Sequence, residues 1–218
     1  MSWHRLRAIA LWTLLSGALW QIGGAAYIHV KAVLAQTLLR DAWAQTLRDA
    51  RPVKPWPWAD TWPVARLRVP RHAQDLIVLA GASGRTLAFA PGHLHGSATL
   101  EQSGRTVIAG HRDTHFAFLH RLQRGDELML QDHAGVTHRF RVSETRIVDS
   151  LATRLLLDSA KQLVLVTCYP FAAINAGGPL RFLVFAEPFA GSAPAQNSPQ
   201  LEHGEAVFRP VAGNDFRA

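Results

Sequence analysis

The chain has 218 residues, and its hydrophobic content of 48% supports a folded domain and excludes a largely disordered protein. The 23 Lys and Arg against 16 Asp and Glu give a formal net charge of +7. These basic residues are scattered and form no run of five or six, which argues against nucleic-acid binding. The single cysteine, Cys168, excludes an internal disulfide and a multi-cysteine metal site.

The N-terminal segment is almost wholly apolar from residue 8 to residue 30, about the ~20 residues that a helix needs to cross a bilayer. One histidine and two arginines precede it, which favours a cytoplasmic N-terminus. We therefore predict that residues 1–31 form a cytoplasmic tip and an uncleaved transmembrane signal anchor. A cleaved signal peptide is the alternative, because the small residues at 23–26 resemble a cleavage site, but the apolar character continues past them.

Residues 32–62 combine an amphipathic stretch with a linker. Apolar residues recur at helical spacing up to Leu47, which predicts a helix that either continues outward as a stalk or packs on the following domain. Seven prolines and tryptophans lie between Arg51 and Pro63, and this density blocks regular structure. The tryptophans either lie at a lipid interface or pack on the domain.

Residues 63–189 are predicted to form a mainly β domain, because short apolar or alternating runs are separated by Gly, Pro, Asp and Ser. Several short strands at this spacing suggest a sandwich or a small barrel. Two helical segments are expected, at Phe116–Gln123 and Ala152–Leu157, and residues 190–218 are expected to be a flexible tail. The predicted strands are Ala65–Val69, Leu76–Ala80, Thr106–Ala109, Glu127–Gln131, Thr137–Val148, Leu163–Thr167 and Arg181–Ala186.

Cys168 ends the apolar run Leu163–Thr167 and is followed by Tyr169-Pro170, which cannot continue a central strand. A residue at a strand end is held by a rigid element while its side chain faces a cleft, which is a suitable position for a nucleophile. The alternative is an inert buried thiol, a common state of a lone cysteine.

His111 occupies an equivalent position, since it follows the apolar run Thr106–Ala109 and Gly110. A thiol near its ordinary pKa is only a few per cent thiolate at neutral pH, so a neighbouring imidazole is the usual activator. Two apolar strands that end in the two halves of a Cys/His pair predict such a site more specifically than either strand alone.

Zinc binding is the competing interpretation of the histidines. His111 and His115 are four residues apart, and His93, His95 and His120 lie nearby in the sequence. The metalloprotease helix, however, requires Glu directly after the first histidine. Arg112 stands there instead and would place a cation beside the metal.

Arg181 starts the last apolar strand, after Gly177-Gly178-Pro179-Leu180. Acyl transfer needs hydrogen-bond donors directed at the oxyanion of the tetrahedral intermediate. A guanidinium supplies a permanent charge and several N–H groups in a fixed geometry. The alternative for Arg181 is an ordinary surface arginine at a strand edge.

Three segments together carry a resemblance to a known family. Residues 106–113 (TVIAGHRD), 165–170 (LVTCYP) and 178–182 (GPLRF) resemble the signature segments of sortases. Their order and spacing are similar to those of the Gram-negative subgroup, class GN. The resemblance extends over roughly residues 62–188.

The resemblance implies a closed eight-stranded β-barrel with the site at strand ends, preceded by a transmembrane helix. Cys168 would attack the carbonyl of the Thr–Gly bond in an LPXTG-like C-terminal sorting signal and form a thioester. His111 would protonate the leaving amine and deprotonate the incoming one, and Arg181 would orient the substrate and stabilise the oxyanion. Thr167 and Tyr169, on either side of the cysteine, would contact the substrate.

The partners implied are a protein with a C-terminal sorting signal, an amine acceptor and the inner membrane, with the catalytic domain of a single-pass protein on the periplasmic side. No cofactor and no metal are expected, since the sequence contains no acidic cluster assignable as a calcium site. Two alternatives stay open. One is a non-catalytic, membrane-tethered β-domain that binds envelope components, and the other is a cysteine endopeptidase that uses water as the acceptor.

Overall fold

A computed structural model of the chain describes residues 3–157, 160–173, 177–189 and 208–210. It divides into two compact units, Met1–Leu38 and Leu39–Ala218. A single helix, α1 (Trp3–Asp49), accounts for all the described structure of the first unit and begins the second. The predicted tail, residues 190–218, lies outside the described residues except for Phe208–Pro210.

The predicted transmembrane anchor at residues 1–31 is not supported. Over the part of the chain that the structure describes, no helix is both long enough and apolar enough to cross a membrane. Polar and small residues interrupt the apolar positions of this stretch, among them Ser16, Gln21, the glycine pair at 23–24 and His29. Such residues lower the mean hydropathy on which a spanning helix depends.

The second unit is built on ten described strands and three short helices. The helices are α2 (Gly84–Leu87) and two 3₁₀ turns at Pro70–His72 and Ala117–Arg121. The strands are β1 (Pro63–Val69), β2 (Gln74–Ala80), β3 (Gly92–His93), β4 (Arg105–Ala109), β5 (Glu127–Asp132), β6 (Thr137–Asp149), β7 (Thr153–Leu155), β8 (Gln162–Cys168), β9 (Leu180–Pro188) and β10 (Phe208–Pro210).

Eight of these strands close a barrel in the order β1-β2-β3-β4-β8-β9-β6-β5. The pairs β2–β3 and β4–β8 are parallel, and the other pairs are antiparallel. The expectation of a closed eight-stranded, mainly β barrel is therefore confirmed. Closure removes the exposed strand edges that an open sheet of these strands would carry.

Strand alternation divides the apolar residues between the two faces of the barrel wall. On β8, Leu163 and Leu165 face the interior core, whereas Val164 packs on the outer side with Val107 and Phe185. All of these residues are buried, because the outer side of β4, β8 and β9 is itself covered. The cover is the segment after β6, which contributes Leu155 and Leu157.

This covering segment corrects one prediction. Residues 152–157 were expected to be helical, but Thr153–Leu155 forms β7 and pairs antiparallel with β10. The apolar side chains of Leu155 and Leu157 are two residues apart, so an extended chain directs both at the barrel wall. Tertiary packing thus overrides the helical preference of the leucines.

The C-terminal part of α1 packs on the barrel, which is the second alternative predicted for the amphipathic stretch. Leu39 and Trp43 are buried against Ile77 and Leu79 of β2 and against Ala90. The linker that follows also contacts the domain, since the ring of Trp56 meets the ring of Phe89 edge-on, with centroids 5.1 Å apart. Trp58, in contrast, is 82% exposed.

The strand directions define two rims of the barrel. At one rim β4 and β8 end and β9 begins, and we call it the β8 rim. At the opposite rim β1, β4 and β8 begin and β5 and β9 end. The three predicted catalytic residues belong to segments that meet at the β8 rim.

Candidate active site

Cys168 is the last residue of β8 and lies between two neighbouring strands. It is partly exposed, so its thiol is not sealed in the interior. On one side β8 pairs antiparallel with β9, and on the other it runs parallel to β4. The pairing with β9 includes Cys168 itself, whereas the pairing with β4 ends two residues earlier, at Val166, so a strand held by two neighbours leads to the cysteine.

Arg181 is the direct cross-strand partner of Cys168 in the β8–β9 ladder. The N–H of Tyr169 donates to the carbonyl of Leu180 at 3.0 Å, which extends the pairing one step beyond the cysteine. The Nη1 atom of Arg181 donates to the carbonyl oxygens of Gly178 at 2.7 Å and Leu180 at 3.0 Å. The guanidinium is therefore held by its own loop beside the strand end that carries the thiol.

His111 follows β4 by two residues at the same rim. The last pair of the parallel ladder is Ala109 with Val166, and the N–H of Gly110 donates to the carbonyl of Val166 at 3.1 Å. If this register continued for two more residues, His111 would be level with Cys168. The His111 residue is exposed, whereas the strand that leads to it is largely buried.

Alternation along the strands indicates that the side chains of Cys168 and Arg181 leave the barrel wall on the same side. Val166 belongs to the outer apolar cluster, and Cys168 is two residues further along β8. Leu183 of the same cluster is two residues after Arg181. Because side chains two residues apart in a strand share a face, Cys168 and Arg181 both lie on the outer side of the barrel wall.

Thr167 points to the other side and is only 2% exposed. Its Oγ1 donates to the carbonyl of Gly110 at 2.7 Å. This bond joins the cysteine strand to the residue just before His111, where the backbone ladder ends. A contact between the Thr167 hydroxyl and a substrate would require this bond to break, and that contact stays a prediction.

Tyr169 enters an aromatic cluster next to the cysteine. Its ring stacks on Phe182 at a centroid distance of 6.4 Å and meets Phe171 edge-on at 6.2 Å. Phe171 and Phe182 also pack on the interior core, and the ring of His120 lies 5.3 Å from Phe171. The chain after Cys168 is thus anchored by aromatic contacts. These contacts cannot be read from the linear chain, because Phe171 and Phe182 lie in separate segments.

A second histidine lies near His111. Burial lowers the pKa of His115 below its ordinary value, and the charge of protonated His111 lowers this pKa further. A hydrogen bond to the backbone of Phe89 acts in the opposite direction. His115 is therefore uncharged at neutral pH. Its hydrogen bond to Phe89 connects the loop of His111 to the segment before β3.

The remaining histidines do not join a metal site with these two. The Nε2 of His93 lies 3.0 Å from both the carbonyl of Ala98 and the hydroxyl of Ser97, near the rim opposite Cys168. Within residues 3–157, 160–173, 177–189 and 208–210, no group of three or more His, Cys, Asp or Glu side chains is placed to hold a metal ion.

A cavity of about 260 Å³ opens at the opposite rim. Its lining includes Trp62, Leu100, Thr106 and Asp132 but none of the three predicted catalytic residues. Its buried carboxylate, Asp132, is engaged with the protein, since it accepts hydrogen bonds from the N–H groups of Ala134 and Val136. We place the candidate site at the β8 rim, where the segments that carry Cys168, His111 and Arg181 meet, and not in this cavity.

Comparison with known proteins agrees with this architecture. The family model described as "Sortase domain" matches residues 67–189, more than half of the chain. Sortase D of Bacillus subtilis is 30% identical over 123 residues, which cover 56% of this chain and 61% of that protein. The chain therefore spans less than two thirds of this curated relative.

Two solved structures share the fold. The sortase D5 transpeptidase of Clostridium perfringens is 17% identical with a TM-score of 0.56, and the match covers 72% of this chain and 99% of that one. Sortase A of Corynebacterium diphtheriae is 23% identical with a TM-score of 0.53, over 72% and 85% of the two chains. Together with the match of the family model, the barrel identifies the chain as a member of the sortase family, which consists generally of cysteine transpeptidases acting on sorting signals.

Proposed function

We propose that this chain is a cysteine transpeptidase that cleaves the Thr–Gly bond of an LPXTG-like C-terminal sorting signal and transfers the acyl group to an amine. The observation that supports it best is the register at the β8 rim. Cys168 pairs directly with Arg181, and His111 follows β4, the strand that runs parallel to β8 on its other side. Family membership supplies the reaction class to which this geometry is suited.

In the first half-reaction the sulfur of Cys168 attacks the threonine carbonyl carbon while the thiol proton passes to His111. The carbonyl oxygen becomes an oxyanion, which the guanidinium of Arg181 stabilises. The C–N bond then breaks as His111 returns its proton to the leaving amine. This leaves a thioester on Cys168 and a free amine product.

In the second half-reaction an incoming amine attacks the thioester carbon and gives one proton to His111. The C–S bond breaks, the new amide forms, and the sulfur recovers a proton. The same oxyanion position is used twice, so a guanidinium fixed by the carbonyl groups of Gly178 and Leu180 serves both halves.

The test is intact-mass spectrometry of the protein incubated with an LPXTG-containing peptide and a glycine peptide as acceptor. We expect an acyl adduct on wild-type protein, a joined product after the acceptor is added, and neither in Cys168→Ala. Release of the acid with no joined product would instead favour the endopeptidase alternative. Absence of an adduct, together with a thiol that iodoacetamide does not modify at neutral pH, would favour the non-catalytic β-domain.

Three finer predictions remain part of this proposal: the class GN assignment, the dedicated protein substrate with a C-terminal sorting signal, and the location on the periplasmic side of the inner membrane. Alkaline carbonate extraction of the full chain tests membrane association. Protease accessibility in spheroplasts tests the side on which the barrel lies. Recovery of the chain in the cytoplasmic supernatant would contradict the location.

A further inference from the structure

Arg112 follows His111 directly, yet it is buried, with 7% of its surface exposed. Burying a guanidinium costs free energy unless its N–H groups are hydrogen-bonded. Here Nη1 donates to the carbonyl oxygen of Pro170 at 2.9 Å and Nη2 donates to that of Ala173 at 2.7 Å. Both carbonyl groups lie in the segment that follows Cys168.

The two acceptors belong to one turn. The N–H of Ala173 donates to the carbonyl of Pro170 at 3.2 Å, which closes a turn over residues 170–173. Arg112 binds both ends of this turn through different nitrogens of one planar group. Such two-point binding fixes the orientation of the turn, and a lysine, with its single nitrogen, would not reproduce that geometry.

These bonds lie where the backbone connection between the two catalytic segments ends. The β4–β8 ladder stops at the pair Ala109–Val166, and one side-chain bond, from Thr167 to Gly110, continues it. Beyond that bond, the hydrogen bonds of Arg112 connect the two segments again. They join the residue after His111 to the turn that begins two residues after Cys168.

We propose that Arg112 is a positioning residue that sets the distance between the imidazole of His111 and the sulfur of Cys168. This inference rests on the proposed function, because it concerns the same pair of reacting groups. Arg112 acts by holding the turn after Cys168 against the loop of His111.

The test compares Arg112→Lys with Arg105→Lys. Arg105 is a matched control because it is equally buried, with 6% exposed, and also donates to a distant backbone carbonyl, that of Leu156. It lies at the start of β4, at the rim opposite Cys168. Both variants thus lose a buried guanidinium, but only Arg112→Lys also loses the contact with the turn after Cys168.

We expect Arg112→Lys to lower kcat of acyl transfer about 10- to 100-fold while KM stays within about twofold, since displacing reacting groups by about 1 Å reduces rates by this order. Arg105→Lys should keep the wild-type kcat even if its unfolding temperature falls. Equal kcat in Arg112→Lys and wild type, or equal losses in both variants, would overturn the inference.

A second measurement separates this inference from the proposed function. The rate of Cys168 alkylation by iodoacetamide is measured in wild type, His111→Ala, Arg112→Lys and the double variant. If Arg112 acts through the His111–Cys168 spacing, Arg112→Lys should slow alkylation toward the His111→Ala rate and have no further effect in the double variant. Additive effects would overturn the inference, even where acyl transfer itself is confirmed. If the alkylation rates show this non-additivity but the wild-type protein performs no acyl transfer, the result would count against the proposed function and not against the role of Arg112.

Discussion

At the scale of single residues, the proposed mechanism makes the donor geometry of Arg181 responsible for stabilising the oxyanion. Its Nη1 is occupied by two backbone carbonyl groups of its own loop, which orient the planar group beside the Cys168 strand end. A lysine keeps the charge but has neither the planar arrangement nor the same set of donors. We expect Arg181→Lys to lower kcat/KM for acyl transfer by about tenfold or more.

Steady-state kinetics with a fluorogenic sorting-signal peptide check this expectation. Arg66→Lys is a suitable control, because Arg66 lies on β1 and forms an exposed ion pair with Asp75. It should have wild-type kinetics. An Arg181→Lys enzyme with unchanged kcat/KM would show that charge alone is sufficient at this position.

The site residues differ in how far the sequence predicts them. Cys168, His111 and Arg181 each adjoin an apolar strand, a pattern that can be recognised in the linear chain. From the sequence alone, Arg112 is recognisable only as a cation that disfavours a zinc site at His111 and His115. Its burial depends on carbonyl groups 58 and 61 residues away, and backbone acceptors leave no residue-type signal in a sequence.

At the scale of elements, the packing of α1 on β2 contributes to the stability of the barrel. Leu39 is completely buried among Trp43, Ile77, Leu79 and Ala90. Leu39→Ala should therefore lower the free energy of unfolding by about 2–5 kcal/mol, through lost apolar burial and the cavity left behind. Urea denaturation followed by circular dichroism measures the change.

An exposed leucine on the same helix provides the comparison. Leu34 is exposed, so Leu34→Ala should change the free energy of unfolding by less than about 0.5 kcal/mol. If both substitutions had equally small effects, the helix would not be packed on the barrel in solution.

The long strands were predicted within about two residues of their ends, because each is an apolar or alternating run between turn residues. The elements that were missed are short. The two-residue β3 and the four-residue α2 contain too few positions to show a period. The helix predicted at residues 152–157 is wrong for a different reason. The extended conformation of this segment depends on packing against the barrel wall, which the local sequence does not reveal.

At the scale of the whole molecule, a buried carboxylate makes stability depend on pH. Burial opposes ionisation of Asp126, but hydrogen bonds from the backbone of Gln123 and from Arg71 and His72 outweigh this effect and lower its pKa. A lowered pKa means that the unfolded chain binds the proton more readily. The contribution of Asp126 is thus complete above about pH 4, the ordinary pKa of aspartate, and is lost as the pH falls toward the folded-state pKa.

We expect Asp126→Asn to lower the free energy of unfolding by about 2 kcal/mol at pH 7, as hydrogen bonds to a buried charged group typically contribute. The difference between variant and wild type should shrink when urea titrations are repeated near pH 3. Asp75→Asn removes an exposed ion pair and should cost less than about 1 kcal/mol at pH 7. A pH-independent difference for Asp126→Asn would mean that its charge does not stabilise the fold.

The strand β9 completes the barrel and carries Arg181, the predicted oxyanion-stabilising residue. β9 is the last barrel strand in the chain, and it pairs with both β8 and β6. In a chain still being synthesised, His111 and Cys168 therefore appear before Arg181. The two ladders of β9, with β8 and with β6, have not yet formed at that stage. In the proposed mechanism, oxyanion stabilisation by Arg181 therefore requires a closed barrel.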